Sequence, residues 1–133
     1  GAQFLVSPVT DLDMLAVTTQ TGVTSMAGAL TPTEAWQATQ AGADFVKVFP
    51  LAGLGADYIK ALRGPLPEIK FVPTNGVTID TIPQFFASGA AAIGLGSALC
   101  SSADFDAGDL TLIQDRAAKA TAMKEKVGMK NNV

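Results

Sequence analysis

Lys47 lies inside an otherwise apolar run, Phe45-Val46-Lys47-Val48-Phe49-Pro50, and an amine in that setting can attack a carbonyl carbon. Strand alternation sets Phe45, Lys47 and Phe49 on one face and Val46 and Val48 on the other, which directs the amine into an aromatic-lined space. Desolvation there disfavours the ammonium and frees its lone pair for imine chemistry. The same run admits a second reading, a strand-end lysine that carries its charge to water along its methylene stem. Two later turns have a composition suited to anions: Pro73-Thr74-Asn75-Gly76 and Gly94-Leu95-Gly96-Ser97. Glycine lets backbone N–H groups come close to a phosphate, and the hydroxyls of Thr74 and Ser97 can donate to it. Gly-Leu-Gly-Ser equally suits tight packing between a strand and the next helix.

Other chemistries are excluded or weakened by what the chain lacks. It contains no histidine, which removes His-based triads and imidazole metal sites. Nine Lys and Arg against twelve Asp and Glu give a formal charge of -3 and no basic patch, so nucleic acid is not an expected partner. The Asp11/Asp13 and Asp104/Asp106 pairs have no accompanying ligands, so no metal and no cofactor is expected. The single Cys100 cannot close an intrachain disulfide, and no run is long and apolar enough to span a bilayer or to resemble a signal peptide. With 48% hydrophobic and 16% charged residues, the chain reads as a cytoplasmic globular protein with no membrane partner.

The elements that must position Lys47 and the turns follow from periodicity. Strand-like runs recur at Gln3–Ser7, Ser25–Leu30, Phe45–Pro50, Lys70–Thr74 and Ala91–Gly96, each separated by a helical segment, which predicts a repeated parallel unit. Residues 41–47 align with 88–94, each carrying near its start a glycine suited to a helix C-cap, Gly42 and Gly89, and the alignment sets Lys47 at the depth of Gly94. Thr31-Pro32-Thr33-Glu34 is a capping box with proline at the first helical position, which makes Glu34 structural. Thr10 with Asp13 reads the same way. Ala35, Ala38 and Gly42 give the next helix a small-residue face, with Trp36 partly exposed. At the end, Leu110, Ile113, Ala117 and Ala120 fall at helical spacing behind an Asp109 N-cap. Lys124, Lys126 and Lys130 suit the negative helix end, and Asn131–Val133 is expected to fray. Residues 1–133 are read as one domain, with 104–133 as a terminal helix and tail.

At this point the chain resembles the 2-keto-3-deoxy-6-phosphogluconate (KDPG) aldolases, class I aldolases on a (β/α)8 barrel. Residues 1–8, Gly-Ala-Gln-Phe-Leu-Val-Ser-Pro, are similar to the family's fourth strand, and residues 28–34 to the turn after the fifth. Val46-Lys47-Val48-Phe49-Pro50 resembles the Schiff-base segment on the sixth. Arg63-Gly64-Pro65-Leu66-Pro67, residues 71–78 and Gly94-Leu95-Gly96-Ser97 are similar to the last two phosphate-binding units. The resemblance implies a partial barrel covering about the fourth to eighth strand-helix units. Lys47 is then the imine-forming residue, and Thr74, Asn75, Gly76, Gly96 and Ser97 form the phosphate end. It implies cleavage of a phosphorylated keto sugar acid to pyruvate and glyceraldehyde 3-phosphate, and a trimer for the intact enzyme.

Three departures accompany the match. Asn75 stands where the family usually has a second glycine, although asparagine tolerates positive φ better than most residues. Ala27 replaces a proline common near the substrate. The family's acid/base glutamate and its pyruvate-binding arginine and threonine belong to strands ahead of Gly1, so the chain is expected to be a fragment that is inactive alone. Other outcomes are a galactonate or 4-hydroxy-2-oxoglutarate substrate, another phosphate-binding barrel enzyme in which Lys47 serves only as a charge, and a noncatalytic half-barrel that self-associates through its open edges.

Overall fold

A computed structural model describes residues 1–108 and 110–130, with side chains described through residue 124. The expected Asp109 cap, the side chains of Lys126 and Lys130, and the tail Asn131–Val133 lie outside the described residues. Strands and helices alternate: β1 (Phe4–Val6), α1 (Leu12–Thr21), β2 (Thr24–Ala29), α2 (Pro32–Gln40), β3 (Phe45–Val48), α3 (Gly55–Arg63) and β4 (Phe71–Pro73). A 3₁₀ turn (Ile79–Thr81) leads into α4 (Ile82–Ala87), followed by α5 (Ser102–Ala107) and α6 (Leu110–Lys130). The four strands form one parallel sheet in the order β1-β2-β3-β4. No helix among the described residues is long and apolar enough to cross a membrane.

Local chemistry accounts for most of these elements. The Thr31 hydroxyl accepts from the Glu34 N–H while Glu34 reaches back to the Thr31 N–H, so the capping box opens α2 as expected. Small Ala35 and Ala38, 1% and 0% exposed, let that helix lie close on β2 and β3, and Trp36 on its far side is 51% exposed. Alternate strand residues Ala27, Ala29, Val46, Val48 and Phe71 join these alanines, Leu15 and Ile59 in the core. Burial of such side chains, at about 25 cal/mol per Å² of apolar surface, outweighs the weak helix propensity of Thr-rich α1 and α2.

Three expectations are corrected. The cap of α1 is Asp11, which accepts from the Met14 N–H at 2.9 Å, because the Thr10 hydroxyl is taken by the Gly28 carbonyl at 2.9 Å. Ala91–Gly96 is no regular strand: its N–H groups at Ala91 and Gly94 bond to Phe71 and Pro73, but only Gly94 forms a bridge, opposite Thr74. Lys47 and Gly94 are not level, since Lys47 is registered with Val72, two residues before Thr74. The helical spacing expected at the end of the chain is present in α6, which turns Ile113, Arg116, Ala120 and Met123 inward and leaves Leu110 and Ala117 exposed. Its inner face is held to α5 by the Arg116–Asp104 pair, which sequence periodicity does not weigh.

Candidate active site

β3 presents Lys47 between Gly28 of β2 and Val72 of β4. The residue is half-buried, and its ammonium sits 4.7 Å from the centroid of the Phe49 ring, a distance at which the ring's negative face attracts the cation. Phe45 lies below on the same face, and its ring in turn meets the Lys70 ammonium at 5.3 Å. The aromatic setting expected from the sequence is present. Lys47 makes no salt bridge among the described residues, so no carboxylate there occupies its amine. Lys60 and Lys70 are exposed.

Gly28 explains how the surroundings of Lys47 are shaped. A Cβ there would fall 2.1 Å from the carbonyl carbon and oxygen of Pro8, so the loop after β1 lies directly against β2. That loop is fastened by Ser7 N–H to Met26 O at 3.0 Å, Gly28 N–H to Val9 O at 3.1 Å and the Thr10 hydroxyl. An isolated glycine inside a strand pattern is the sequence signal for such close approach.

The rim after β2 is fixed by side chains. The Leu30 N–H donates to the Glu34 carboxylate at 2.9 Å, and the Tyr58 hydroxyl of α3 donates to the Leu30 carbonyl at 2.7 Å. Glu34 also accepts the Thr31 N–H at 2.7 Å and hydroxyl at 2.9 Å. These donors, the Thr31 and Leu30 N–H groups first, hold its carboxyl below the usual carboxylate range, which keeps it an acceptor engaged in the cap. Between this rim and the β1 loop is a hollow of about 670 Å³ lined by Val9, Gly28, Leu30, Glu34, Phe49 and Pro50 among others.

The two glycine turns lie at the carboxyl end of β4 and beside it. Thr74 continues the ladder, its N–H bonded to Val48 O at 3.1 Å and its carbonyl accepting from Leu51 at 3.3 Å. Asn75 and Gly76 follow with φ of 70° and 85°, so the asparagine adopts the left-handed conformation that it tolerates better than most residues. A Cβ on Gly94 would lie 2.4 Å from the Thr74 hydroxyl oxygen, which puts the start of the second turn against the first. From Gly96 the chain makes a helical turn, the Gly96 carbonyl accepting from Leu99 at 2.9 Å and Cys100 at 3.1 Å. The N–H groups of Gly76, Gly96 and Ser97 donate to no acceptor among the described residues, and Ser97 is exposed. Lys47, Thr74, Asn75 and Gly76 therefore gather at one end of the sheet, with Gly96 and Ser97 following Gly94. Of the paired acids, Asp11 caps α1, and Asp104 completes the capping box of Ser101 on α5, accepting from the Ser101 N–H at 2.8 Å, and pairs with Arg116.

The described elements define a parallel α/β protein in which strands and helices alternate. Residues 1–116 match the KDPG and KHG aldolase family, and the chain belongs to that family. It is 38% identical over 100 residues to the 2-dehydro-3-deoxy-6-phosphogalactonate aldolase of Escherichia coli (strain K12), covering 74% of this chain and 49% of that protein. A native KDPGal structure superposes with a TM-score of 0.87 at 30% identity, over 96% of this chain and 60% of that one. A cube-shaped protein cage designed by fusing symmetric oligomeric domains matches with a TM-score of 0.75 at 30% identity, over 98% of this chain and 50% of that one. The chain spans about half the length of the curated relatives it matches.

Proposed function

We propose that the chain is the imine-forming and phosphate-binding part of a class I aldolase that cleaves 2-keto-3-deoxy-6-phosphogluconate to pyruvate and glyceraldehyde 3-phosphate. The observation that carries this reading is Lys47, unpaired by any carboxylate among the described residues, held over the Phe49 ring in a chain of the KDPG and KHG aldolase family. Neutral Lys47 Nζ adds to the C2 ketone, and loss of water leaves an iminium. That cation draws in the electron pair of the C3–C4 bond as it breaks, while the C4 hydroxyl gives up its proton and the aldehyde departs. Protonation of the resulting enamine at C3 and hydrolysis release pyruvate and restore the amine.

The unpartnered N–H groups of Gly76, Gly96 and Ser97, with the Thr74 and Ser97 hydroxyls and Asn75, grip the phosphate. No metal or cofactor enters. Glu34 is engaged in its cap and is not assigned the proton relay. The likeness to the galactonate aldolase favours a second reading, the galactonate epimer as substrate. The cytoplasm is the proposed location, and self-association, as a trimer in the complete enzyme, is the proposed assembly, supported by the likeness to a chain fused from symmetric oligomeric domains.

The deciding experiment is borohydride reduction in the presence of pyruvate, followed by peptide mass mapping of the complete enzyme. A stable adduct on Lys47 is expected. A tag on Lys60 or Lys70 with Lys47 unmodified sinks the assignment.

A further inference from the structure

The chain beyond the second glycine turn is tied into a closed circuit of bonds. The Gly96 carbonyl accepts from the Leu99 and Cys100 N–H groups, and the Leu99 carbonyl in turn accepts from Arg116 of α6 at 3.3 Å. Two residues on, the Ser101 N–H and hydroxyl donate to one carboxylate oxygen of Asp104, at 2.8 and 2.6 Å. Arg116 donates to that same oxygen. A single guanidinium nitrogen, Nη1, makes both Arg116 contacts, and its two hydrogens suffice for the Leu99 carbonyl and the Asp104 carboxylate. Leu99, Ser101, Asp104 and Arg116 therefore enclose the point where the turn runs into α5.

An ion pair between α5 and α6 would by itself contribute little, and Ala120 and Met123 already pack α6 against the core. Arg116 differs from such a pair because its second acceptor is a backbone carbonyl two residues after Ser97. It is the one side-chain tie to the backbone from Gly96 to Leu99 among the described residues. The Arg116 and Asp104 side chains are 28% and 11% exposed, so water screens the contact only in part. A loose turn must be ordered each time an anion binds, which weakens binding, whereas a turn fixed beforehand avoids that cost.

We propose that Arg116 is a positioning residue for recognition of the phosphorylated end of the substrate, an inference that rests on the phosphate-binding reading above. By drawing the Leu99 carbonyl and Asp104 together it fixes where the Gly96 and Ser97 N–H groups point, without itself touching substrate. Lys47 stands on β3, outside this circuit. Loss of Arg116 therefore removes binding common to the ground and transition states, which raises KM and leaves kcat in place.

The experiment compares Arg116→Met, which keeps a long unbranched stem without donors, Arg116→Lys, whose shorter ammonium can still donate, and Ser97→Ala, all in the complete enzyme. Steady-state kinetics on the phosphorylated substrate are set beside the pyruvate concentration that half-saturates borohydride trapping at Lys47. Arg116→Met should raise KM about tenfold with kcat and pyruvate trapping unchanged, and Arg116→Lys should recover part of that, leaving a rise of about threefold. Equal losses in KM and in pyruvate trapping make Arg116 a general support of the fold and overturn the inference. A folded Arg116→Met with unchanged KM, beside a raised KM in Ser97→Ala, also overturns it and leaves the phosphate site standing. Unchanged KM in both variants overturns the phosphate reading and this inference with it. Should Arg116→Met fail to fold, Arg116→Lys decides by the same two measurements.

Discussion

Neighbouring residues of β3 meet opposite surroundings. Val46 and Val48 point into the helices and are 1% and 0% exposed, whereas Phe45 and Lys47 remain half-buried on the other face. The contrast extends across the sheet: Ala27 and Ala29 are enclosed, while Phe4 and Val6 of β1 are 60% and 45% exposed. On the enclosed face, side-chain volume decides whether the helices can close. The other face is free of that requirement except at Gly28 and Val72, and it is there that Lys47 is accommodated.

The widest test separates two adjacent residues. Lys47→Arg, which stays protonated, should abolish the borohydride-trapped pyruvate adduct and leave the urea midpoint unchanged, while Val48→Ala should keep the adduct and lower stability by about 1–3 kcal/mol. A comparable loss of stability in both variants breaks the division between faces. Gly28→Ala sharpens it, since this residue belongs to the lysine face yet supports the Pro8 backbone; overpacking there should cost about 1–3 kcal/mol in the same titration. Within the site, Ser97→Ala should raise KM for the phosphorylated substrate about tenfold and leave pyruvate trapping intact. Equal losses of both would assign Ser97 to the fold instead.

The smallest effect is expected far from either face. Asp104 is held at about 2 by the Ser101 hydroxyl first and by Arg116 and the Ser101 N–H next. Its folded-state value lies below the ordinary carboxylate value of about 3.9, so its contribution is present above that pH and is lost as pH falls toward 2. Asp104→Asn should flatten this acid limb of the stability curve, which unfolding at neutral and acid pH compares directly, with little change in trapping.

How much was legible depended on sequence separation. The Glu34 cap could be read because Thr31, Pro32 and Glu34 lie within one turn, and Asn75 could be read as a left-handed position from its own side chain. Thr10 could not, because its acceptor, the Gly28 carbonyl, is far along the chain and leaves the cap to Asp11. Ala91–Gly96 has strand-like residues, but its small side chains and single bridge to Thr74 do not regularise a ladder. Tyr58 carried no local signal either, since its role exists only once α3 has packed beside Leu30. In the candidate site, the order of the motifs was readable, whereas Gly28 signalled a close approach without saying that the Pro8 backbone makes it.

Leu30 gives the rim a mechanical character. One brace to it comes from Glu34 in α2, another from Tyr58 in α3, and the adjoining Ala29 carbonyl is tied to the Phe49 N–H at 3.1 Å. Three members meeting from different directions make a triangulated frame, which resists shear better than parallel ties. The turn from Gly96 has its own carbonyl bonds and one side-chain tie, from the Arg116 guanidinium to the Leu99 carbonyl at 3.3 Å. The backbone at Leu30 is therefore held by more side-chain ties than the chain at Gly96 and Ser97.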